Sequence, residues 1–426
     1  MSATVPGPRA VVEVSAEPTR PVGARWTATL ALANLGLWIG YFGPLQVSLP
    51  NQMQAIDPAG KETALAIATG IGAAIALVVN PLTGALSDRT ASRFGRRHPW
   101  SLAGALLGAA GLGFLSGQTS LTGVIVGWCV AQTGLNMLQA ATTAAIPDHV
   151  PVGERATVSG WITAQQLLGL VAGVVLVGTV ITGLAGGYLA LAIVVPLLVL
   201  PFVLGTRDPV LDPQDRPAWS TRDFLQGFWI SPRRHPDFAW AWLTRFLMQL
   251  SYSMATLYLL YYLRDELHYE TLFPGSTAET GLLILILINT VVAMIATVIG
   301  GMISDRSGRR KRSVTIAALI LSVPGVALAL WPSWPCALAS AVVLGLGYGV
   351  YMSVDQALVT QVLPAAASRG RDLGLINIAN SAPQVLSPAI AAPLIAHAGG
   401  YPTLYLSVTV ISLLGAVFVR NIRSVP

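Results

Sequence analysis

Charge is scarce in this chain. Only 10% of its 426 residues are Asp, Glu, Lys or Arg, whereas 54% are hydrophobic and the mean hydropathy is +0.64. An ordinary soluble domain carries about 25% charged residues. A chain this apolar cannot cover a water-facing surface, so the composition argues against a soluble protein, and the net charge of +6 does not by itself point to nucleic acid. Cysteine is nearly absent: Cys129 and Cys336 both fall in apolar stretches and give neither a disulfide framework nor a metal-ligand set. The five histidines, His98, His149, His235, His268 and His397, are scattered in loops and at the ends of apolar runs. With no carboxylate cluster and no glycine-rich phosphate cradle, the chain reads as neither an enzyme nor a holder of any cofactor or metal.

Long apolar runs, in contrast, are plentiful. Twelve can be delimited, at residues 26–50, 63–86, 100–116, 121–146, 157–182, 187–204, 238–263, 279–303, 313–331, 335–362, 373–396 and 401–419. Each is long enough to cross the hydrocarbon core as a helix, which takes roughly 17–25 residues. Residues 1–25 lack the apolar core of a signal peptide and are expected to form a disordered cytoplasmic tail. Twenty-two of the twenty-five basic residues fall in alternate connecting segments, leaving Lys61 and Arg264 on the other side and Arg245 within a span. The positive-inside rule then places both termini in the cytoplasm and the protein in the plasma (inner) membrane as a multi-pass chain. The segment from Gly205 to Asp237 is polar and carries five prolines. It divides the chain into a six-helix bundle at 26–204, a cytoplasmic linker at 205–237, a second bundle at 238–420 and a short tail at 421–426. The expected fold class is an all-α polytopic membrane protein of twelve transmembrane helices, arranged as two pseudo-symmetric six-helix bundles.

The division is also a repeat. Gly84-Ala85-Leu86-Ser87-Asp88-Arg89 recurs 217 positions later as Gly301-Met302-Ile303-Ser304-Asp305-Arg306, each time at the end of an apolar run. The same offset carries Pro147 onto Pro364, Glu154 onto Arg371 and Arg155 onto Asp372. Parallel repeats of this kind are typical of secondary transporters with a central substrate site. Gly84 and Gly301 are expected to let neighbouring helices approach, and Asp88 and Asp305 to accept hydrogen bonds from a helix N-terminus.

These features resemble the major facilitator superfamily over essentially the whole chain after residue 25. The second copy, Asp305-Arg306-Ser307-Gly308-Arg309-Arg310, has the superfamily's compact form, and the first has four extra residues before Arg96-Arg97. That longer form, with Asn136-Met137-Leu138-Gln139, Gly374-Leu375-Ile376-Asn377-Ile378-Ala379 and Pro383-Gln384, is similar to the sucrose-transporter and glycoside-pentoside-hexuronide:cation symporter branch. The resemblance implies the major facilitator fold. It also implies a conformational latch at Asp88, Arg89, Arg96, Glu154 and Arg155 in the first half and at Asp305, Arg306, Arg309, Arg371 and Asp372 in the second. Arg93, Arg97, Arg310, Lys311 and Arg312 are read as setting topology alone.

Substrate contacts should come from polar faces in otherwise apolar spans, because an unsatisfied polar group in the bilayer is costly. The fourth span offers Gln132, Asn136, Gln139 and Thr143 on one helical face, the eleventh Asn377, Asn380 and Gln384, and the tenth Ser353, Gln356 and Thr360. With Trp161 in the fifth span, the substrate-binding candidates are Gln132, Asn136, Gln139, Trp161, Gln356, Asn377, Asn380 and Gln384; Trp38, Tyr41, Gln46, Gln165 and Tyr252 are further candidates. The same amides could instead join helices. Arg245 and Asp355 lie at matched depth, roughly 10–12 Å from the cytoplasmic end, and are expected to pair. The pair either serves the structure or exchanges a coupling proton at Asp355. The resembling branch places an acid and an arginine where Gln132 and Thr143 stand here, and residues 63–86 hold no aspartate. Asp355 is therefore the acid that remains inside a span.

The function expected is secondary active transport of a small polar solute, a sugar or glycoside, by alternating access, with protons as the candidate coupling ion. The alternative is export of a small metabolite or drug by proton antiport. Drug antiporters of the superfamily carry Gly-x-x-x-Gly-Pro in the fifth span, where this chain has Gly169 to Gly173 followed by Val174. The partners expected are the solute, H+ and the lipid bilayer, with no nucleic acid, and a monomeric state.

Overall fold

The computed structural model describes residues 21–151, 155–211, 221, 235–307, 310–361 and 369–422. Among these residues the regular structure is helical. The first half comprises α1 (Ala24–Ile56), α2 (Lys61–Ser87), α3 (His98–Leu115), α4 (Leu121–His149), α5 (Arg155–Val175) and α6 (Leu184–Gly205). The second comprises α7 (Pro236–Leu257), α8 (Ala278–Ser307), α9 (Arg310–Leu330), α10 (Trp334–Gln361), α11 (Arg369–His397) and α12 (Gly400–Phe418). Eight helical segments among the described residues are both long and apolar enough to cross a membrane. Helices such as α7, with Arg245 and Gln249 in its middle, fall short of that mark by composition.

Local chemistry sets several boundaries. Ser120 caps α4, its hydroxyl accepting the Gly123 N–H at 3.2 Å, so the nearly fused third and fourth runs separate at Gly117–Ser120. Pro44 has no N–H to give to a preceding carbonyl, and α1 widens there into a π turn, Pro44–Ser48, before continuing six residues past the expected end at 50. The helix after α7 breaks at Tyr258 and resumes as Leu259–Asp265.

Packing repeats as the sequence does. In the first half α1 packs on α5 and α6, α3 on α4 and α6, and α2 on α4. Each pairing recurs six helices later: α7 on α11 and α12, α9 on α10 and α12, and α8 on α10. The halves meet along α2 with α11 and α5 with α8, two seams that the same shift exchanges. Glycine permits the closest of these approaches, since a Cβ on Gly134 would lie 2.1 Å from the Gly108 nitrogen and one on Gly111 2.3 Å from the Ala131 nitrogen. Gly84 and Gly301 do not serve this purpose, contrary to expectation. Among the described residues a Cβ on Gly84 would meet nothing within 4 Å and one on Gly301 only Ser353 Cβ at 3.8 Å; on α8 it is the preceding Gly300 that faces α10, where a Cβ would lie 3.0 Å from Ser353 Oγ. α8 approaches α10 most closely at Gly349 instead, where a Cβ would sit 2.4 Å from the Ala293 carbonyl.

The first residues of α1, those just past α6 and the residues after α12 up to Ile422 share one end of the bundle. Trp26 packs tilted against His149 with ring centroids 5.0 Å apart, His149 reaches the Arg207 carbonyl at 3.0 Å, and Lys311 donates to the Ile422 carbonyl at 2.9 Å. This is called the terminal end below.

Candidate functional site

A cavity of about 210 Å³ lies between the halves. Its central part takes Tyr41 and Gln46 from α1, Thr69 from α2, Trp128 and Gln132 from α4 and Gln166 from α5. From the second half come Gln249 and Tyr252 on α7, Asn289 on α8, Tyr348 on α10 and Gln384 on α11. Among the described residues none of those lining the cavity is charged. The Tyr41 hydroxyl donates to Gln384 Oε1 at 2.5 Å, joining the halves across the cavity. Tyr252 and Tyr348 stack with centroids 3.7 Å apart and planes 11° from parallel, while their hydroxyls donate to Asn289 Oδ1 at 2.9 Å and Gln249 Oε1 at 3.3 Å. The Trp128 indole is buried, and its N–H has no hydrogen-bond partner among the described residues.

Gln132 and Gln384 thus line the cavity, as do Tyr41, Gln46 and Tyr252. Asn136 does not: its side-chain amide donates to the Gln132 carbonyl and to Gln132 Oε1, both at 2.9 Å, and so holds Gln132 in place from one turn away. Nor does Gln139, which accepts from Asn80 Nδ2 at 3.2 Å and joins α4 to α2. Asn136 thus braces Gln132 within α4 and Gln139 joins α4 to α2, so neither of these amides, expected to contact substrate, lines this cavity. Trp38 stacks on Phe42, and on α5 it is Gln166, rather than Gln165, that lines the cavity. The side chains of Trp161, Gln356, Asn377 and Asn380 lie outside the described residues. Gln166, Gln249, Asn289, Trp128 and Tyr348 were missed. Gln249, one turn after Arg245, and Asn289, a lone amide in an apolar run, both satisfy the rule that picked out the fourth span.

Behind the Tyr348 wall, Arg245 Nη1 lies 2.8 Å from Asp355 Oδ2, and Tyr351 donates to the other carboxylate oxygen at 2.8 Å. All three side chains are buried. A carboxylate with both oxygens engaged and a guanidinium facing it is a satisfied pair, the form in which membrane-embedded charge is tolerable.

At the terminal end the first arginine cluster closes on its own half. Arg96 makes a two-point contact with Asp148, through Nη2 at 2.5 Å and Nε at 3.1 Å. Arg97, expected only to set topology, is almost fully buried and bonds Asp148 through Nε at 2.7 Å while also reaching Asp88 and Ser87. Asp88, expected to accept from a helix N-terminus, is instead the partner of Arg97. The capping carboxylate is that of Asp208, just past α6, which accepts the Arg97 N–H and, at 2.9 Å, the His98 N–H at the start of α3. Burial lowers the pKa of the His98 imidazole; nearby Asp208 opposes the shift and nearby His149 adds to it. Arg89 is half-buried just beyond α2, and Arg306 is exposed in the last turn of α8. Glu154 and Arg309, and the side chains of Arg155, Asp305, Arg371 and Asp372, lie outside the described residues.

The opposite end is fastened across the halves. Lys61, opening α2, donates to Asp265 at 2.7 Å and lies 4.8 Å over the Tyr261 ring, and Asp265 also accepts from Tyr401 at 2.6 Å. Asn51 donates to Glu279 at 2.9 Å and accepts from Arg264 at 2.7 Å, and Arg264 also pairs with Glu279. Tyr261 donates to the Pro50 carbonyl at 2.8 Å.

Two repeated helical halves around a cavity built of side-chain amides and aromatic rings define a membrane transporter rather than an enzyme. The chain belongs to the Major Facilitator Superfamily, whose sequence profile matches residues 24–297 and 275–426. A search of curated protein sequences gives no match. Among solved structures, a variant of the nucleoside transporter NupG is similar with a TM-score of 0.74 at 12% identity, over 93% of this chain and 99% of that one. The peptide transporter POT in complex with alafosfalin is similar at 0.75 and 16% identity, over 95% and 97%. A POT family transporter in complex with 5-aminolevulinic acid gives 0.73 at 13%, over 93% and 96%. At these identities the likeness is one of fold.

Proposed function

We propose that this transporter carries a small, electrically neutral, hydroxyl-rich solute, a sugar or glycoside, across the plasma membrane by alternating access. In this reading both termini are cytoplasmic, residues 205–237 link two six-helix halves, and the chain works as a monomer of the sucrose-transporter and glycoside-pentoside-hexuronide:cation symporter branch. One observation carries it: the cavity is lined by side-chain amides, hydroxyls and aromatic faces with no charged group among the described residues. Amides exchange hydrogen bonds with hydroxyls, and aromatic faces cover the apolar faces of a ring. A carboxylate or ammonium brought into such a cavity would lose its hydration with no counter-charge to replace it. NupG is named for nucleosides, which are themselves sugar-bearing neutral solutes. Asp355 is the proposed proton-exchanging acid, with Arg245 holding its ionised form.

Binding to the purified protein is the direct test, using neutral methyl hexosides, their uronate counterparts and a zwitterionic dipeptide. The neutral sugars should bind and the charged ligands should not. Gln132→Ala and Gln384→Ala should each weaken sugar binding by about 1–3 kcal/mol, the cost of leaving a buried partner unsatisfied. A preference for the uronate or the dipeptide would overturn the reading.

A further inference from the structure

The cavity departs from the duplication that governs the rest of the molecule. In the first half its walls come from α1, α2, α4 and α5, whereas α3 and α6 contribute nothing. In the second half it takes the equivalent α7, α8, α10 and α11 and also reaches α9 and α12. A side lobe therefore lies inside the second half, with Leu285, Leu328, Ala341 and Val408 among its apolar walls. The lobe runs along two interruptions, the break at Tyr258 between lining residues Leu257 and Leu259 and the proline Pro324 within α9.

Two hydroxyls line this part of the cavity. Ser340 is 5% exposed and Tyr405 1% exposed, and neither side-chain oxygen has a hydrogen-bond partner among the described residues. The ring of Tyr405 has an evident packing role, edge-on to Tyr262 with centroids 5.0 Å apart, but its hydroxyl has none. Leaving a buried polar group unpaired costs about 1–3 kcal/mol. Two such groups in one apolar lobe amount to donors prepared for an acceptor that arrives from outside.

We propose that the side lobe binds an apolar arm of the transported solute, an uncharged aryl or alkyl group that carries a hydrogen-bond acceptor such as a carbonyl, to which Tyr405 and Ser340 donate. This rests on the reading of the central cavity as the seat of a neutral hydroxylated ring, the arm then being the aglycone of a glycoside. The central amides take the ring, the lobe takes the aglycone, and with no charge among the described lining residues both keep out ionised arms.

The test compares dissociation constants of methyl, phenyl and 4-acetylphenyl β-glucosides and β-galactosides, and of acetophenone alone, on the wild type and on Tyr405→Phe, Ser340→Ala and Ala337→Leu, whose larger side chain fills the lobe. The wild type should bind phenyl glycosides about tenfold more tightly than methyl glycosides, and 4-acetylphenyl glycosides more tightly still. Tyr405→Phe and Ser340→Ala should each remove about three- to tenfold of the acetyl advantage and leave methyl glycosides unchanged. Ala337→Leu should abolish the advantage of either arm, again with methyl glycoside binding intact, which also shows that the variant is folded. Methyl glycosides that bind while the arms add nothing would overturn the lobe and leave the sugar reading standing. Acetophenone binding that is lost in Ala337→Leu, with no glycoside bound by the wild type, would keep the lobe and overturn the sugar reading. Binding of neither class overturns both.

Discussion

Arg245 and Asp355 hold each other in a part of the bundle where either alone would be a liability. Removing one member of a buried pair costs about 3–5 kcal/mol because the other is left uncompensated, so Arg245→Gln and Asp355→Asn should each lower the melting temperature and reduce transport. The double variant should regain much of the stability. If Asp355 carries the coupling proton, the double variant will exchange substrate across a proteoliposome membrane yet fail to accumulate it against a gradient. Full accumulation by Asp355→Asn alone would end the coupling proposal. The pairing was legible in the sequence because only these two charges fall deep inside apolar runs, at depths that match. The choice between Gln165 and Gln166 was not. Adjacent residues point about 100° apart on a helix, and only the packing of α5 against α1 and α8 decides which of them faces the cavity. Arg97 was misjudged for a similar reason, since its partner Asp148 comes from the end of another helix and belongs to no motif.

At the scale of a single element, α3 shows how a helix start can depend on distant chain. Its first N–H groups are capped by Asp208, more than a hundred residues further on. Asp208→Ala should therefore destabilise the protein by about 0.5–2 kcal/mol, the range for a lost cap, and thermal melts in detergent would measure it. His98 lies in the same turn, just ahead of the membrane span, and burial is the first cause of its lowered pKa. The folded state thus resists its protonation more than the unfolded state does. Its contribution is present above the ordinary value of about 6.5 and is lost as the pH falls below it. Wild-type melting temperature should drop between pH 7 and pH 5, and His98→Gln should flatten that slope. An unchanged slope in the variant would remove His98 as the cause. The Ser120 cap of α4 could be read locally, from a serine preceding an apolar run. Nothing near residue 98 announces Asp208, because the contact exists only once α6 has returned to the terminal end.

Over the whole molecule, the repeat of 217 positions carried the most information. It foretold a packing pattern in which the main pairings of the first half recur six helices later. It could not foretell where the halves differ, as in the reach of the cavity to α9 and α12. The bonds across the halves at the end remote from the termini give a test at this scale. Lys61 with Asp265 is a partly exposed pair that crosses the halves, and Arg264, paired with Glu279 in its own half, crosses through Asn51; each crossing is worth about 0.2–1 kcal/mol. Lys61→Gln with Arg264→Gln should shift the conformational balance toward separation of that end by about two- to thirtyfold. Spin labels at Ala55 and Thr271, on a cysteine-free background, would report a longer distance; an unchanged distribution would show that this network does not hold the end closed. The contrast with the middle of the bundle, where the halves are joined by the uncharged bond between Tyr41 and Gln384, has one more consequence. Mobile ions screen charge over about 10 Å at 0.1 M and about 3 Å at 1 M, and they leave a neutral hydrogen bond almost untouched. Ionic strength should therefore loosen the remote end while the central crossing holds, so that added salt becomes a means of opening that end.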